Sequence, residues 1–95
     1  MSQLKTDIGN LLGKIRASTP LVHQITNYVT VNDCANMTLA IGASPVMADS
    51  IHEVMDMVSI ASSLVINTGT LNEVTVVSML VAAKQANAKG IPLVL

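Results

Sequence analysis

Four short apolar runs alternate with segments of helical periodicity along this 95-residue chain. The runs read LVHQI from Leu21, SPVMA from Ser44, SLVIN from Ser63 and IPLVL from Ile91. Such runs are typical of strands that helices cover on both faces, and their alternation with helices favours a parallel sheet with right-handed crossovers. Because no linker, repeat or low-complexity tract divides the chain, we predict a single α/β unit over residues 1–95, truncated after its fourth strand.

The first two predicted helices rest on apolar spacing. The residues before Pro20 predict an opening amphipathic helix, because apolar side chains recur there at helical spacing and proline ends the pattern. Those apolar positions are Leu4, Ile8, Leu11, Leu12 and Ile15. Residues 27–42 predict a second helix, with Leu39 on its apolar face and Gly42 at its end. The helix over 27–42 therefore follows the first strand after only a short turn.

Capping signatures predict where the last two helices begin. Ser50 is followed three residues later by Glu53, and Thr70 stands at the same distance from Glu73. A hydroxyl residue with a glutamate three positions on is a capping box, in which each side chain bonds the other residue's backbone N–H. The second of these helices is predicted to run to Gly90 as its C-cap.

Composition and charge exclude several classes of protein. Apolar residues make up 51% of the chain and charged residues 12%, which is far from the composition of a disordered segment. A net charge of -1 without a basic run gives no electrostatic footprint for nucleic acid. The most apolar stretch, from Val74 to Ala83, falls short of the ~18 residues that a membrane span needs. With Cys34 as the single cysteine, we expect a soluble cytoplasmic protein without nucleic-acid or membrane partners.

Polar residues follow three of the predicted strands, within the segments 24–27, 47–50 and 67–70. In a parallel sheet these segments converge at one edge, where the ligands of open α/β folds bind. They offer amide and hydroxyl groups rather than a basic, phosphate-binding set, and no Gly-rich phosphate motif is present in the sequence. The sequence therefore predicts a ligand site of hydrogen-bonding character at this edge.

The individual residues leave alternatives open. Asn27 after a strand serves either a local turn or a ligand, and Met47 is either core filler or part of a pocket. Gly69 satisfies a turn or permits close approach of backbone to a ligand. His23 in an apolar run favours a core histidine bonded to backbone over a base or metal ligand. Cys34 on a helix favours a small buried side chain over a nucleophile.

Three sequence blocks resemble one known family. PLVHQITNYVTVNDCANMTLAIGASPVMAD, LVINTGTLNE and GIPLVL are in register with sequences of hydroxyethylthiazole kinases, which act in thiamine biosynthesis. The resemblance extends from about Pro20 to Leu95 and is carried by long blocks rather than by an isolated motif. It implies a ribokinase-like fold and transfer of the γ-phosphate of ATP, with Mg²⁺, to the alcohol of 4-methyl-5-(2-hydroxyethyl)thiazole. It also implies a trimer with substrate pockets at the subunit interfaces.

The same resemblance implies which residues of this chain contact the substrate. They are Asn27 and Val29 in the ITNYV block, Met47 in PVMAD and, more weakly, Gly69 in NTGT. Asn27 would orient a neutral heteroaromatic ring through one hydrogen bond, beside the polarisable Met47. No ionic contact with the ring is required.

The remaining parts of the family's active site are expected beyond Leu95. They are the acidic residues for Mg²⁺, the ATP-binding residues and the catalytic cysteine, which Cys34 is not. No catalytic, cofactor-binding or metal-binding residue is therefore expected within this chain. We interpret it as the N-terminal part of a larger kinase domain that supplies the substrate side of the site and is inactive alone. The alternative is a non-catalytic fragment that binds a small molecule or assists subunit assembly.

Overall fold

Helices and strands alternate in the computed structural model, which describes residues 2–27, 29–69 and 72–95. In chain order the elements are α1 (Ser2–Ser18), β1 (Leu21–Ile25), α2 (Val31–Ala40), β2 (Ser44–Val46), α3 (Val54–Ile60), β3 (Ser63–Ile66), α4 (Glu73–Lys89) and β4 (Leu93–Val94). Each predicted apolar run forms a strand, and each predicted helical segment contains a helix. The predicted α/β class is confirmed.

The strands form one parallel sheet in the order β2-β1-β3-β4. His23 pairs with Val46 of β2 on one side and with Leu64 of β3 on the other. Ile25 pairs with Ile66 at the end of the same strands. Because the strands are parallel, the segments that follow β1, β2 and β3 all emerge at one edge of the sheet.

The helices that follow β1 and β3 lie on opposite faces of this sheet. Gln24 faces α2, where its Nε2 donates to Thr38 Oγ1 at 2.6 Å. Its neighbour Ile25 points the other way, into a core formed with side chains of α3 and α4. The buried core residues are Ile25, Val54, Val58, Leu64, Ile66, Met79, Ala82 and Ala86. The core therefore lies between the sheet and the pair α3 and α4.

Coverage of the sheet and of α1 is less complete than predicted. The α2 side of the sheet is partly open, since Val65 is half-buried and Val94 is 55% exposed. The amphipathic helix α1 is present, but no residue between Ser2 and Ser18 is buried by the described part of the chain. Leu4 and Leu11 of its apolar stripe are each more than half exposed. Across the described residues, no helix combines the length and apolar character that crossing a membrane would require.

The predicted capping boxes identify the helices but not their first residues. Ser50 Oγ accepts from the N–H of His52, so its side chain closes a turn, and α3 begins only at Val54. In α4 the N-cap is Asn72, whose Oδ1 accepts from Thr75 N at 2.9 Å. The predicted cap Thr70 lies outside the described residues. Gly90 is confirmed as the C-cap of α4, with the left-handed φ of 73°.

The second helix and second strand are shorter than predicted. Helix α2 begins at Val31, and Leu39, predicted on its buried face, is 58% exposed. Thr38 is buried instead, because its hydroxyl bonds Gln24 across the interface with β1. Strand β2 ends at Val46, so Met47 and Ala48 lie in the loop that follows. Met47 is thereby placed at the edge where the other loops emerge.

Candidate functional site

The carboxyl ends of β1 and β3 define the candidate site. These strands are neighbours, yet the chain leaves β1 for α2 on one face of the sheet and β3 for α4 on the other. Such a topological switch point opens a crevice in which the ligands of open α/β sheets bind. Asn67 N donates to Ile25 O at 2.9 Å and continues the pairing to the start of both loops.

Four polar side chains form a continuous hydrogen-bonded network across the switch point. Asn67 Nδ2 donates to Thr26 Oγ1 at 3.2 Å, and Thr26 Oγ1 lies 2.8 Å from Thr30 Oγ1. Thr30 Oγ1 in turn donates to Asn27 Oδ1 at 3.0 Å. Because a hydroxyl has one proton, Thr30 donates a hydrogen bond to Asn27 and accepts one from Thr26. We call these four residues the switch-point network.

Backbone N–H groups fix the orientation of both amides in the network. Thr30 N lies 3.0 Å from Asn27 Oδ1, and Gly69 N lies 2.8 Å from Asn67 Oδ1. Because a backbone N–H can only donate, the amide atom that it meets must be the oxygen. The described side-chain hydrogen bonds of Asn27 therefore both use Oδ1. Its Nδ2 is a donor that none of these hydrogen bonds uses.

The loop after β2 is attached to the interior of β1. His23 is fully buried, and its Nε2 donates to the carbonyl oxygen of Ala48 at 2.6 Å. The prediction of a core histidine bonded to backbone is thus confirmed. Met47, directly before Ala48, is half-buried. Met47 therefore directly precedes a carbonyl that a side chain of the neighbouring strand bonds.

Clefts of small-molecule size adjoin the loops. One of about 540 Å³ lies between the loop after β2 and the start of α4, and one of about 340 Å³ lies between β1 and α2. Ligand pockets typically have volumes of roughly 300–1,000 Å³. The larger is lined by Asp49, Ser50, Ile51, His52, Asn72, Val74 and Thr75. The smaller is lined by Gln24, Thr30, Asp33, Cys34, Met37, Thr38 and Ile41.

The four substrate residues expected from the resemblance take different places in this arrangement. Asn27 is half-buried within the switch-point network, and Gly69 is exposed beside it, bonded to Asn67. Met47 lies at the next loop along the edge. Val29 is 89% exposed after the first strand. The switch-point network thus connects Asn27 to Asn67, which bonds Gly69. The loop of Met47 is instead bonded to β1, through Ala48 and His23.

Neutral hydroxyl and amide groups dominate the chemistry of the switch point. The described residues contain no group of three or more His, Cys, Asp or Glu side chains placed to hold a metal ion. The switch-point network suits a neutral ligand that accepts a hydrogen bond.

Comparison with known proteins identifies the family. The sequence model of the hydroxyethylthiazole kinase family matches residues 12–95 of the chain. The chain belongs to the hydroxyethylthiazole kinase family. Similar kinases include that of Clostridium tetani, 67% identical over 88 residues, and that of Ruminiclostridium cellulolyticum, 58% identical over 94 residues. These alignments cover 93% and 99% of this chain.

A solved structure of a hydroxyethylthiazole kinase has the same fold. The protein from Pyrococcus horikoshii OT3 superposes with a TM-score of 0.83 at 46% identity and covers 86% of this chain. The chain corresponds to 32% of that protein, and to 32% and 34% of the Clostridium and Ruminiclostridium kinases. It therefore spans about a third of the length of these family members.

Sequence reasoning did not single out three members of the switch-point network. Thr26 and Asn67 lie in the predicted loops and Thr30 in the predicted second helix, and only the adjacency of β1 and β3 brings Thr26 and Asn67 into contact. The available signal was their common position at strand ends, where the polar residues of neighbouring parallel strands meet. The order of the strands was the missing information.

Proposed function

We propose that this chain supplies the substrate side of a hydroxyethylthiazole kinase, which phosphorylates the hydroxyl of 4-methyl-5-(2-hydroxyethyl)thiazole. The observation that carries the proposal is the fixed amide of Asn27, whose oxygen accepts two hydrogen bonds from Thr30. The Nδ2 of Asn27 then donates to an acceptor of the substrate, either the ring nitrogen or the hydroxyl oxygen. The match to the kinase family supports this choice of ligand.

The other residues of the edge suit the rest of such a molecule. The thiazole ring is neutral and polarisable, and a thioether side chain such as Met47 packs well against a soft aromatic ring. Val29 is almost fully exposed and offers aliphatic surface to a ligand or to a neighbouring chain. Gly69 carries no side chain at the network, so a ligand can approach its backbone closely.

The reaction requires parts that this third of the kinase does not provide. Family membership supports ATP as phosphoryl donor and thiamine biosynthesis as the pathway, and the resemblance implies Mg²⁺ and a trimer with pockets at subunit interfaces. When bound, ATP and Mg²⁺ supply the phosphoryl group and neutralise its charge during transfer. We assign this chain the role of holding the acceptor alcohol. The single Cys34 is consistent with the cytoplasm as its compartment.

The test uses a chimera of this chain and the remaining two-thirds of the Clostridium tetani kinase, which is 67% identical to it over the shared part. Asn27→Asp keeps an oxygen for Thr30 and replaces the Nδ2 donor by an acceptor. We expect the KM for the thiazole alcohol to rise about tenfold or more, the effect of losing a net ~1.5 kcal/mol hydrogen bond. Asn36→Asp makes the same chemical change on an exposed part of α2 and serves as the matched control.

The outcomes separate the kinase from its alternative. Equal KM values for the chimera and its Asn27→Asp variant would refute the role of Asn27. The chain alone is then titrated with the thiazole alcohol and with ATP by calorimetry, and we expect no ATP turnover. Binding of the alcohol by the chain together with an inactive chimera would instead favour a non-catalytic binding fragment.

A further inference from the structure

His23 occupies a position where an aliphatic side chain would be expected. It lies in the middle of β1, is 0% exposed, and pairs in register with the core residue Leu64 of β3. The neighbouring core position Ile25 on the same strand face is aliphatic and equally buried. Burying a polar ring among aliphatic side chains is costly unless it forms hydrogen bonds. The contacts of the imidazole therefore indicate why a histidine is present.

Only one of the two ring nitrogens is satisfied within the described residues. Nε2 lies 2.6 Å from Ala48 O, and because a carbonyl oxygen only accepts, Nε2 carries the proton. Nδ1 is then an acceptor, and it is buried without a hydrogen-bond partner among the described residues. A buried polar atom left unsatisfied in this way calls for an explanation. The bond to Ala48 must compensate for burial of the whole ring.

The hydrogen bond from His23 to Ala48 lies beyond the last backbone pair of β1 and β2. The pairing of β1 with β2 ends at His23 and Val46, and residues 47–50 have no regular secondary structure. Ala48 lies two residues beyond Val46, so its backbone is outside the strand ladder. The side chain of His23 reaches past the end of the ladder and holds this carbonyl. Met47 lies between Val46 and Ala48 and is thereby fixed at both of its backbone ends.

We propose that His23 is a positioning residue, which orients Met47 for the substrate by holding the carbonyl of Ala48. This inference rests on the proposed function, in which Met47 contacts the thiazole ring. His23 itself is buried in the core and does not touch the substrate. Loss of its Nε2–H releases the segment 47–50 at the edge, while the ladder up to Val46 remains in place.

Three substitutions in the chimera distinguish the effect of losing the Nε2–H donor of His23 from the effect of losing the volume of its ring. His23→Gln places an N–H donor at about the reach of Nε2, whereas His23→Asn places its amide near Nδ1, too short to meet Ala48. His23→Leu keeps the apolar volume and removes the donor. We expect the Asn and Leu variants to raise the KM for the thiazole alcohol roughly tenfold, with kcat within about twofold, because misplacement of a binding group weakens binding. The Gln variant is expected to stay within about threefold of the parent.

A double-mutant cycle with Met47→Ala tests whether His23 acts through Met47. If it does, His23→Leu raises the KM no further once Met47 is alanine, because coupled positions are non-additive. A purely structural role would instead lower kcat with the folded fraction and leave the KM of the folded enzyme unchanged. Independent, additive effects of His23 and Met47 on the KM would overturn the proposal. If His23→Leu does not fold, the comparison of the Gln and Asn variants decides the same question.

Limited proteolysis with an unspecific protease provides a readout that does not depend on activity. We expect cleavage within residues 47–50 to be at least about tenfold faster in the Asn variant than in the parent chimera, while cleavage elsewhere is unchanged. Equal cleavage within residues 47–50 in the Gln and Asn variants would refute the bond's positioning role. If the chimera is inactive but this difference appears, the kinase assignment fails and the positioning of the loop stands.

Discussion

Replacing Thr26 by valine breaks the switch-point network at its centre. The Thr26 hydroxyl accepts from Asn67 Nδ2 at 3.2 Å and donates to Thr30 Oγ1 at 2.8 Å. Valine has nearly the same shape, so the change removes two hydrogen bonds and little packing. Each neutral hydrogen bond contributes a net ~0.5–1.5 kcal/mol. Because Thr26 is half-buried and water can reach its former partners, we expect the free energy of unfolding to fall by about 1–2 kcal/mol.

The network also predicts that neighbouring substitutions are coupled. Thr30→Val removes the other hydroxyl of the 2.8 Å contact but keeps the backbone bond from Thr30 N to Asn27. The double variant should therefore lose less stability than the sum of the single variants, by about 0.5 kcal/mol or more. Urea unfolding of the chain, followed by circular dichroism, measures the four free energies of the cycle.

An exposed threonine provides the matched control for this series. Among the described residues, Thr6 Oγ1 bonds the carbonyl of Ser2 within α1 and no other group, and Thr6→Val should change the free energy of unfolding by less than about 0.5 kcal/mol. If Thr26→Val costs no more than Thr6→Val, the hydroxyl of Thr26 does not stabilise the switch point. Strict additivity of the Thr26 and Thr30 variants would refute the directed network.

Two further predictions concern turns and caps. Gly42→Ala should destabilise the chain more than Gly90→Ala, which is expected to cost about 1 kcal/mol. Both glycines have positive φ, so both substitutions strain the backbone. A Cβ at Gly42 would in addition lie only 2.6 Å from Arg16 Cγ, whereas a Cβ at Gly90 meets open space. Equal losses in urea unfolding would show that Arg16 moves aside freely. Asn72→Ala should lower the free energy of unfolding by about 1 kcal/mol, because it removes the acceptor of Thr75 N, and Asn72→Asp should restore most of that loss. Failure of the aspartate to rescue stability would contradict the capping role.

The strands were predictable because their apolar runs are distinct, but their ends depend on neighbours that the sequence does not specify. The run SPVMA suggests a strand through Ala48, yet β2 ends at Val46. Strand β2 is at the edge of the sheet and has only β1 as a partner. The carbonyl of Ala48, two residues after the end of β2, is bonded by the side chain of His23 rather than by backbone. A side-chain bond of this kind leaves no trace in hydrophobic periodicity.

Helical periodicity predicted the helices, but not which of their side chains are buried. Leu39 lies at a helical spacing that suggests burial, whereas the buried residue is Thr38. The reason is the hydrogen bond between Thr38 and Gln24, which turns a polar side of α2 towards the sheet. In α1 the spacing of Leu4 and Ile8 is helical, yet each is about half exposed. Tertiary partners decide burial, and periodicity alone does not identify them.

The sequence predicted where the candidate site lies, but not which hydrogen bonds form it. Its location follows from the rule that polar loops after parallel strands converge, and Asn27 and Gly69 lie there. The contact of Thr26 with Asn67 required the strand order β2-β1-β3-β4, in which β1 and β3 are adjacent. Local signals in the sequence do not specify that order. That the amide oxygen of Asn27 is the atom facing Thr30 likewise follows only from the observed bond of Thr30 N.

The backbone bond between Asn67 N and Ile25 O affects when the conformational entropy of the site is lost. Fixing the backbone of one residue costs roughly 1–2 kcal/mol. Because this 2.9 Å bond extends the β1–β3 pairing into both loops, that cost is incurred as the sheet forms. A ligand that then meets Asn27 encounters an amide already aligned, and its binding free energy is not reduced by ordering the loop. On the proposed function, the affinity for the substrate is therefore coupled to the integrity of the sheet.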